Sequence, residues 1–551
     1  MKFYPHHLIA VILVICASHC SFASDVYVSQ NKAGGNTGDN CADARALSSL
    51  GAGDWIPGNT IHLCGTITFP AGTAGLVAQG SGTSGSPITV KFEAGAILQS
   101  PYFGGTPYAS SCYSITTCMG GIQIYNHSYI IIDGGMNGII QNTANGTDLP
   151  NHHSSTGFSI SGGSNFIIRN LTIKTIYMND PSTQDTAGAY TADVGIANGA
   201  TNVTVCGNSL LNARGGISSD TAGGSAPAYP LPVCSSNTFT PGVNFFGNTL
   251  ADHAWQIQPS GGRSPIVNIF NNSLGTNFNW VEKSNNFHTD GIIAWGDKGA
   301  QLSVYLFNNV IQTPTFGTAG FYCTYGEDGS GCRAWVFNNV FFASPADTGV
   351  AVWLNGSTGY PLGPYFIYNN AFINNSLAVA LAGDSEVVTI ENNAVSEGAT
   401  WKNYFYAKGY GSNSLPSVLA IADYNSFYGG RGYSFAGDGQ YYCWPQSGGS
   451  PSRCGSDYKG PWVKTGFDTH SVSGNPQIDA NFRPSGKSPV INAGANLSSL
   501  CSVPGLGPLC HDKNGAARSL AGRWDIGAIE GPHPNPPIAL TGAVKQAVAE
   551  D

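Results

Sequence analysis

The fold is decided by residues 268–341, which read NIFNNSL (268–274), NFHTDGIIAWG (286–296), YLFNNVI (305–311), GTAGFYCTY (317–325) and WVFNNVF (335–341). An apolar–apolar–Asn–Asn–apolar phrase recurs at Asn271/Asn272, Asn308/Asn309 and Asn338/Asn339, with steps of 37 residues (271 to 308) and 30 residues (308 to 338). Between the copies lie two short apolar strands, the first with His288 and Asp290 at its start. One repeat of this length cannot bury its own apolar face, which points to a solenoid or an array.

The phrase extends in both directions. FIIRNLTI (166–173), VTVCGNSL (203–210) and NFFGNTL (244–250) precede it, and FIYNNAF (366–372), TIENNAV (389–395) and ADYNSFY (422–428) follow. A second family of short strands alternates with it, including GFSIS (157–161), VGIAN (194–198), GGISS (215–219), WQIQP (255–259), VAVWL (350–354) and LAVAL (377–381). Asparagine at a fixed place in each coil suits a turn, because it tolerates the left-handed backbone. Its amide can also bond to the equivalent amide one coil on. The expected fold is an all-β, single-domain stack of coils over residues 24–530. Residues 42–50 place Ala44, Leu47 and Leu50 on one helical face ahead of Gly51, predicting a short N-terminal capping helix over the open end of the core.

Composition agrees. The chain has 551 residues, 42% of them hydrophobic and only 10% charged, and its 73 glycines suit strands and turns. A net charge of −9 without long runs offers no footprint for nucleic acid. Residues 8–17 form an apolar run after Lys2 and before Ser21-Phe22-Ala23, too short to span a bilayer. This predicts an export signal over 1–23, a secreted or periplasmic mature chain and no membrane span. Cys16 and Cys20 leave with the signal. The other twelve of the 14 cysteines form neighbouring couples: Cys41/Cys64, Cys112/Cys118, Cys206/Cys234, Cys323/Cys332, Cys443/Cys454 and Cys501/Cys510. In an exported chain such couples favour disulfides. Residues 531–551, Pro-rich and then Ala-rich, read as a tail, and the chain is expected to be a monomer.

The phrase DANFRPSGKSPVINAG (479–494) followed by DKNGAARSLAGRWDIGAIE (512–530) resembles the closing segment of many secreted parallel β-helix proteins. The opening YVSQ (27–30) with PGNTIHLCGTIT (57–68) resembles their usual first coil. Together these are similar to the pectate-lyase-like β-helix superfamily, which implies a right-handed parallel β-helix and a secreted carbohydrate-active protein with a polysaccharide partner.

Aligning the second strand family on Gly195-Ile196, Gly216-Ile217, Gln256-Ile257, Gly291-Ile292 and Gly320-Phe321 puts Asp193, Arg214, His253 with Trp255, and His288 with Asp290 in one column. In a chain so poor in charge, that clustering predicts a site. Nearby loops and strand ends add Trp280, Glu282, Lys283, Trp295, Tyr325, Glu327 and Asp328, an aromatic groove with a charged centre. For β-elimination on a uronic-acid polymer, Arg214 suits the substrate carboxylate, and His253 or His288 suits the base. A hydrolase reading competes. HTDG (288–291) is similar to the NTDG phrase of polygalacturonases, whose aspartate is a catalytic carboxylate, so the resemblance gives Asp290 that role. The Asp-Asp pair, Gly-His-Gly and Arg-Ile-Lys of that family are absent after residue 290, and the resemblance stops there. Hydrolysis would pair Asp290 with Asp193, Glu282 or Glu327. Calcium is an open possibility through GEDGSG (326–331) or GDSE (383–386), with no ligand set fixed by the sequence. His152-His153 reads as a solvated pair. A non-catalytic polysaccharide-binding or adhesin β-helix is the third reading.

Overall fold

The computed structural model describes residues 23–104, 120–146, 148–180, 191–261, 265–280, 289–297, 299–313, 319–326, 330–343, 349–355, 363–382, 387–396, 403–408, 419–429, 432–435, 441–443, 458–461 and 466–532. The expected export signal, apart from Ala23, and the tail beyond Pro532 lie outside the described residues.

The chain is a parallel β-helix, as the sequence resemblance implied. Each coil contributes three short strands, and each strand pairs in parallel with its equivalent one coil on. The first ladder begins Asp25–Ser29, Thr60–Leu63, Ile88–Phe92 and reaches Leu419–Asp423. The second runs from Thr66–Thr68 through Ser209–Leu211 and Val340–Phe342 to Ser426–Tyr428. The third includes Thr156–Ser161, Ala192–Cys206, Gly215–Thr221, Trp255–Gly261, Asp290–Gly296, Ala319–Thr324, Val350–Asn355 and Leu377–Ala382.

Side chains of like position stack along the axis inside. Val194, Ile217, Ile257, Ile292, Phe321 and Val352 line the third ladder. Phe245, Ile269, Leu306, Val336 and Ile367 line the first, and Leu250, Leu274, Ile311, Phe341 and Phe372 the second. All are buried, β-branched or aromatic more often than not, and suited to a sheet closed on itself.

The asparagine phrase is not one strand but two, bent at the Asn pair, and its two residues divide the work. The first takes the left-handed turn: Asn170, Asn271, Asn308, Asn338, Asn369 and Asn392 all have φ between 51° and 59°. Gly207 and Gly247 hold the same place with φ of 64° and 65°. The second points inward and forms the ladder. Asn208, Asn248, Asn272, Asn309, Asn339, Asn370 and Asn393 each give the backbone N–H and Nδ2 to Oδ1 of the next, at 2.9–3.2 Å. Asn425 is the last acceptor and gives its own Nδ2 to Asp468.

Outside the first ladder, Phe246, Phe270, Phe307 and Phe337 stack face to face at 4.7, 4.9 and 4.9 Å. The C-terminal segment lies across them with Leu506, Leu509, Cys510 and Trp524. The turn asparagines tie it down. Asn338 Nδ2 donates to the His511 carbonyl (2.8 Å), Asn369 Nδ2 to that of Asp525 (3.1 Å), and Asn392 Oδ1 accepts from Ala495 N–H (2.7 Å).

The capping helix is a correction. Residues 41–54 form three short 3-10 turns, Cys41–Asp43, Leu47–Ser49 and Ala52–Asp54, with Arg45–Ala46 paired to Val28–Ser29 as a strand. Nine residues are too few to nucleate a helix against a disulfide at Cys41, a strand pairing and an Arg45–Asp54 ion pair at 2.8 Å. Leu47 and Leu50 still pack on the end of the core, without a helix. Disulfides join Cys41–Cys64, Cys206–Cys234, Cys323–Cys332 and Cys501–Cys510, the couples that the cysteine spacing offered. Cys112/Cys118 and the Cys443/Cys454 couple's Cys454 lie outside the described residues. Among the described residues no helix is long and apolar enough to cross a membrane.

Candidate active site

The third ladder carries the predicted site residues, and its register divides the expected column in two. Asp193 pairs with the row of Gly216 and Gln256, because Val194, not Ile196, aligns with Ile217. The sequence repeats the Gly-Ile phrase two residues out of step there, so the alignment slipped by two. The row of Asp193, Gly216 and Gln256 turns inward at the corner with the second ladder, where a Cβ on Gly216 would meet Leu250 and, at 3.2 Å, His253.

Asp193, His253 and Gln256 are all fully buried. His253 Nε2 meets Asp193 Oδ2 at 2.7 Å, and its Nδ1 meets Gln256 Oε1 at 2.8 Å. Gln256 Nε2 donates to the Gly275 carbonyl at 3.2 Å. Burial pushes the Asp193 carboxyl up to about 7, with His253 pulling the other way. Both ring nitrogens of His253 are thus occupied inside the solenoid. The turn after Gly275 carries this network toward the surface: Asn277 Nδ2 donates to the His253 carbonyl at 2.5 Å and approaches the Asp290 carbonyl at 3.3 Å.

Arg214, Trp255, Asp290 and Trp295 lie on the outer side. The Arg214 guanidinium sits over the Trp255 ring at 4.3 Å, and Trp255 meets Trp295 edge-on at 6.4 Å. Asp290 follows Trp255 in register, one coil on. It is fully buried, beside an outer apolar cluster of Ile293, Ala319 and Tyr322 edged by Trp255, Trp295 and Trp353. Its Oδ1 accepts the Ala319 N–H at 2.8 Å, while its Oδ2 has no hydrogen-bond partner among the described residues. Burial holds the carboxyl well above the usual carboxylate range, which favours its protonated form. Tyr322, on the next coil, is also pushed up by burial, with Asp290 adding to the shift, and its hydroxyl accepts from Asn355 Nδ2 at 2.8 Å.

Trp280 is buried against Tyr177 and Ala254 rather than presented to a ligand, and Tyr325 is exposed at the end of its strand. His288, Glu282, Lys283, Glu327 and Asp328 lie outside the described residues, as does GDSE (383–386). Among the described residues no cluster of three or more His, Cys, Asp or Glu side chains could hold a metal ion. His153 is half-buried and stacks on Tyr102 at 4.0 Å, while His152 is exposed, with its Nδ1 3.4 Å from the Tyr177 hydroxyl. Sequence reading missed Gln256, Tyr322, Trp353 and Asn355. Period-two alternation from the inward Phe321 and Val352 would have found the last three.

No protein-family model matches the chain, and no curated protein matches it in sequence. Among solved structures, the chain is similar to pectate lyase Pel9A at 14% identity, covering 92% of this chain and 96% of that one, with a TM-score of 0.42. It is similar to XylC in complex with xylose at 10% identity, 92% and 98% coverage and a TM-score of 0.40. A rhamnogalacturonan lyase is 13% identical over 71% of this chain and 89% of its own, with a TM-score of 0.34. At TM-scores below 0.5 these likenesses carry no weight beside the strand register, which defines the fold by itself.

Proposed function

We propose that the chain is an exported carbohydrate-active enzyme that takes a polysaccharide across the outer face of the third ladder and breaks a glycosidic bond with Asp290 as proton donor. The observation that carries this reading is a fully buried carboxyl with one unbonded oxygen beside a cluster of tryptophan and tyrosine rings. A leaving sugar oxygen needs a proton, and a carboxyl that burial biases toward its protonated form supplies it. Aromatic faces suit the apolar faces of pyranose rings.

Hydrolysis breaks the C–O bond, puts the Asp290 proton on the departing oxygen and adds water at the anomeric carbon with a second carboxylate. Asp193 does not serve as that partner. It lies three coils from Asp290, about 14 Å at one sheet spacing per coil, and points inward. Glu282 and Glu327 remain the candidates. A second reading, β-elimination on a uronate, is favoured by the Arg214 guanidinium held on Trp255, one coil before Asp290. There a base takes the proton alpha to the carboxylate, the cation offsets the developing charge, and Asp290 again protonates the leaving oxygen. His253 is not placed to be that base, which leaves His288.

The test is a paired assay on acidic and neutral polysaccharides. Absorbance near 235 nm, roughly that of an unsaturated uronate, marks elimination, and new reducing ends without it mark hydrolysis. Asp290→Asn should abolish either while leaving glycan affinity within a few-fold. Affinity without turnover in the wild-type chain would establish a binding protein instead.

A further inference from the structure

We infer that Tyr322, Trp353 and Asn355, one and two coils beyond Asp290, form a sugar-binding subsite, so that the site takes a run of several sugars lying along the solenoid axis. This rests on the carbohydrate reading above and adds the length and direction of the ligand.

The register fixes the row. Tyr322 pairs with Trp353 on the next coil, and Thr324 lies one outward position beyond Tyr322, as Asn355 does beyond Trp353. Their rings meet edge-on at 5.6 Å, the same kind of contact as Trp255 with Trp295. Four consecutive coils each present a large aromatic side chain outward, in three neighbouring registers: Trp255 in that of Asp290, Trp295 in that of Thr324, and Tyr322 with Trp353 in a third. The positions before Tyr322 in its own register hold Gly195, Ser218, Gln258 and Ile293, and Ala380 follows Trp353. The platform spans three coil spacings, about 14 Å, which exceeds one sugar ring and runs across the strands. Polar groups sit along it as a glycan needs. Asn355 Nδ2 is 2.8 Å from the Tyr322 hydroxyl and 3.4 Å from Thr324 Oγ1. Rings for stacking and an amide with hydroxyls for orientation are the two components of a sugar subsite. A site for a single terminal sugar would need no platform two coils past the acid.

The experiment uses the full mature chain carrying Asp290→Asn, titrated calorimetrically with oligogalacturonides and xylo-oligosaccharides of two to six units. Affinity should rise with length up to a plateau. Adding Trp353→Ala should cost about tenfold for the longer oligomers and leave the disaccharide unchanged. Trp353→Phe should restore most of the loss, and unchanged melting temperatures keep the comparison clean. Length-independent binding, or equal loss for short and long oligomers, overturns the subsite and leaves the reading of the site intact. No binding of any oligomer or of the parent polysaccharides overturns both.

Discussion

His253 and Asp290 show how little a residue type says before its direction is known. His253 lies in a column of charged residues in the sequence, yet both its nitrogens face inward to Asp193 and Gln256. Removing it strands a buried carboxyl, so His253→Ala should lose about 3–5 kcal/mol in chemical denaturation. A loss below 1 kcal/mol would show that the pair is not closed in solution. Asp290 carries the opposite signature. Its carboxyl ionises near 3.8 when unfolded and far higher when native, so its contribution to stability is complete at low pH and declines as pH rises from about 4 through the native value. Asp290→Asn has no such decline. Its denaturation midpoint should therefore gain on the wild type between pH 4 and pH 8, and a constant difference would mean that Asp290 is ionised in the native state.

At the scale of elements, the asparagine phrase was the most legible feature. It announced the coil, the turn and the amide ladder, but not that two adjacent residues split the tasks. The split is physical. A residue at positive φ points its side chain out of the corner, and only the next one reaches the interior. Asn339→Ala, in mid-ladder, should cost about 3 kcal/mol by leaving Asn309 and Asn370 unmatched, read from denaturation midpoints. Register was less legible because VGIAN offers two ways to match GGISS, and sequence alone does not choose. The capping helix failed for a related reason: periodicity counted three apolar residues, and the disulfide and strand pairing that override it are tertiary. Glu391 and Asp423 face each other from adjacent coils below the phenylalanine stack. Burial and Asp423 raise Glu391 to about 7, so it opposes folding progressively from about pH 4.5 to 7. Glu391→Gln should be more stable by about 1–2 kcal/mol at pH 8, discounted for its partial exposure, and indistinguishable at pH 4.

The whole molecule behaves as a stack in which each coil depends on its neighbours, with one exception. The C-terminal segment bonds to the turns at Asn338, Asn369 and Asn392 and lies across aromatic rings of coils far upstream. A chain ending at residue 488 should keep its strand content but bind an apolar dye and self-associate, because the phenylalanine stack is left bare. Monodisperse, dye-negative protein from that truncation would show the stack to be covered by something else.

That clasp also sets a clock on biogenesis. Coils can form as the chain emerges, because each requires only the one before it. The stacked rings at Phe246, Phe270, Phe307 and Phe337, however, stay naked until the segment carrying Leu506, Leu509 and Trp524 has been delivered. The protein is therefore most vulnerable to misassociation after these coils have formed and before that segment arrives. Residues 497–524 act as the seal that ends this interval.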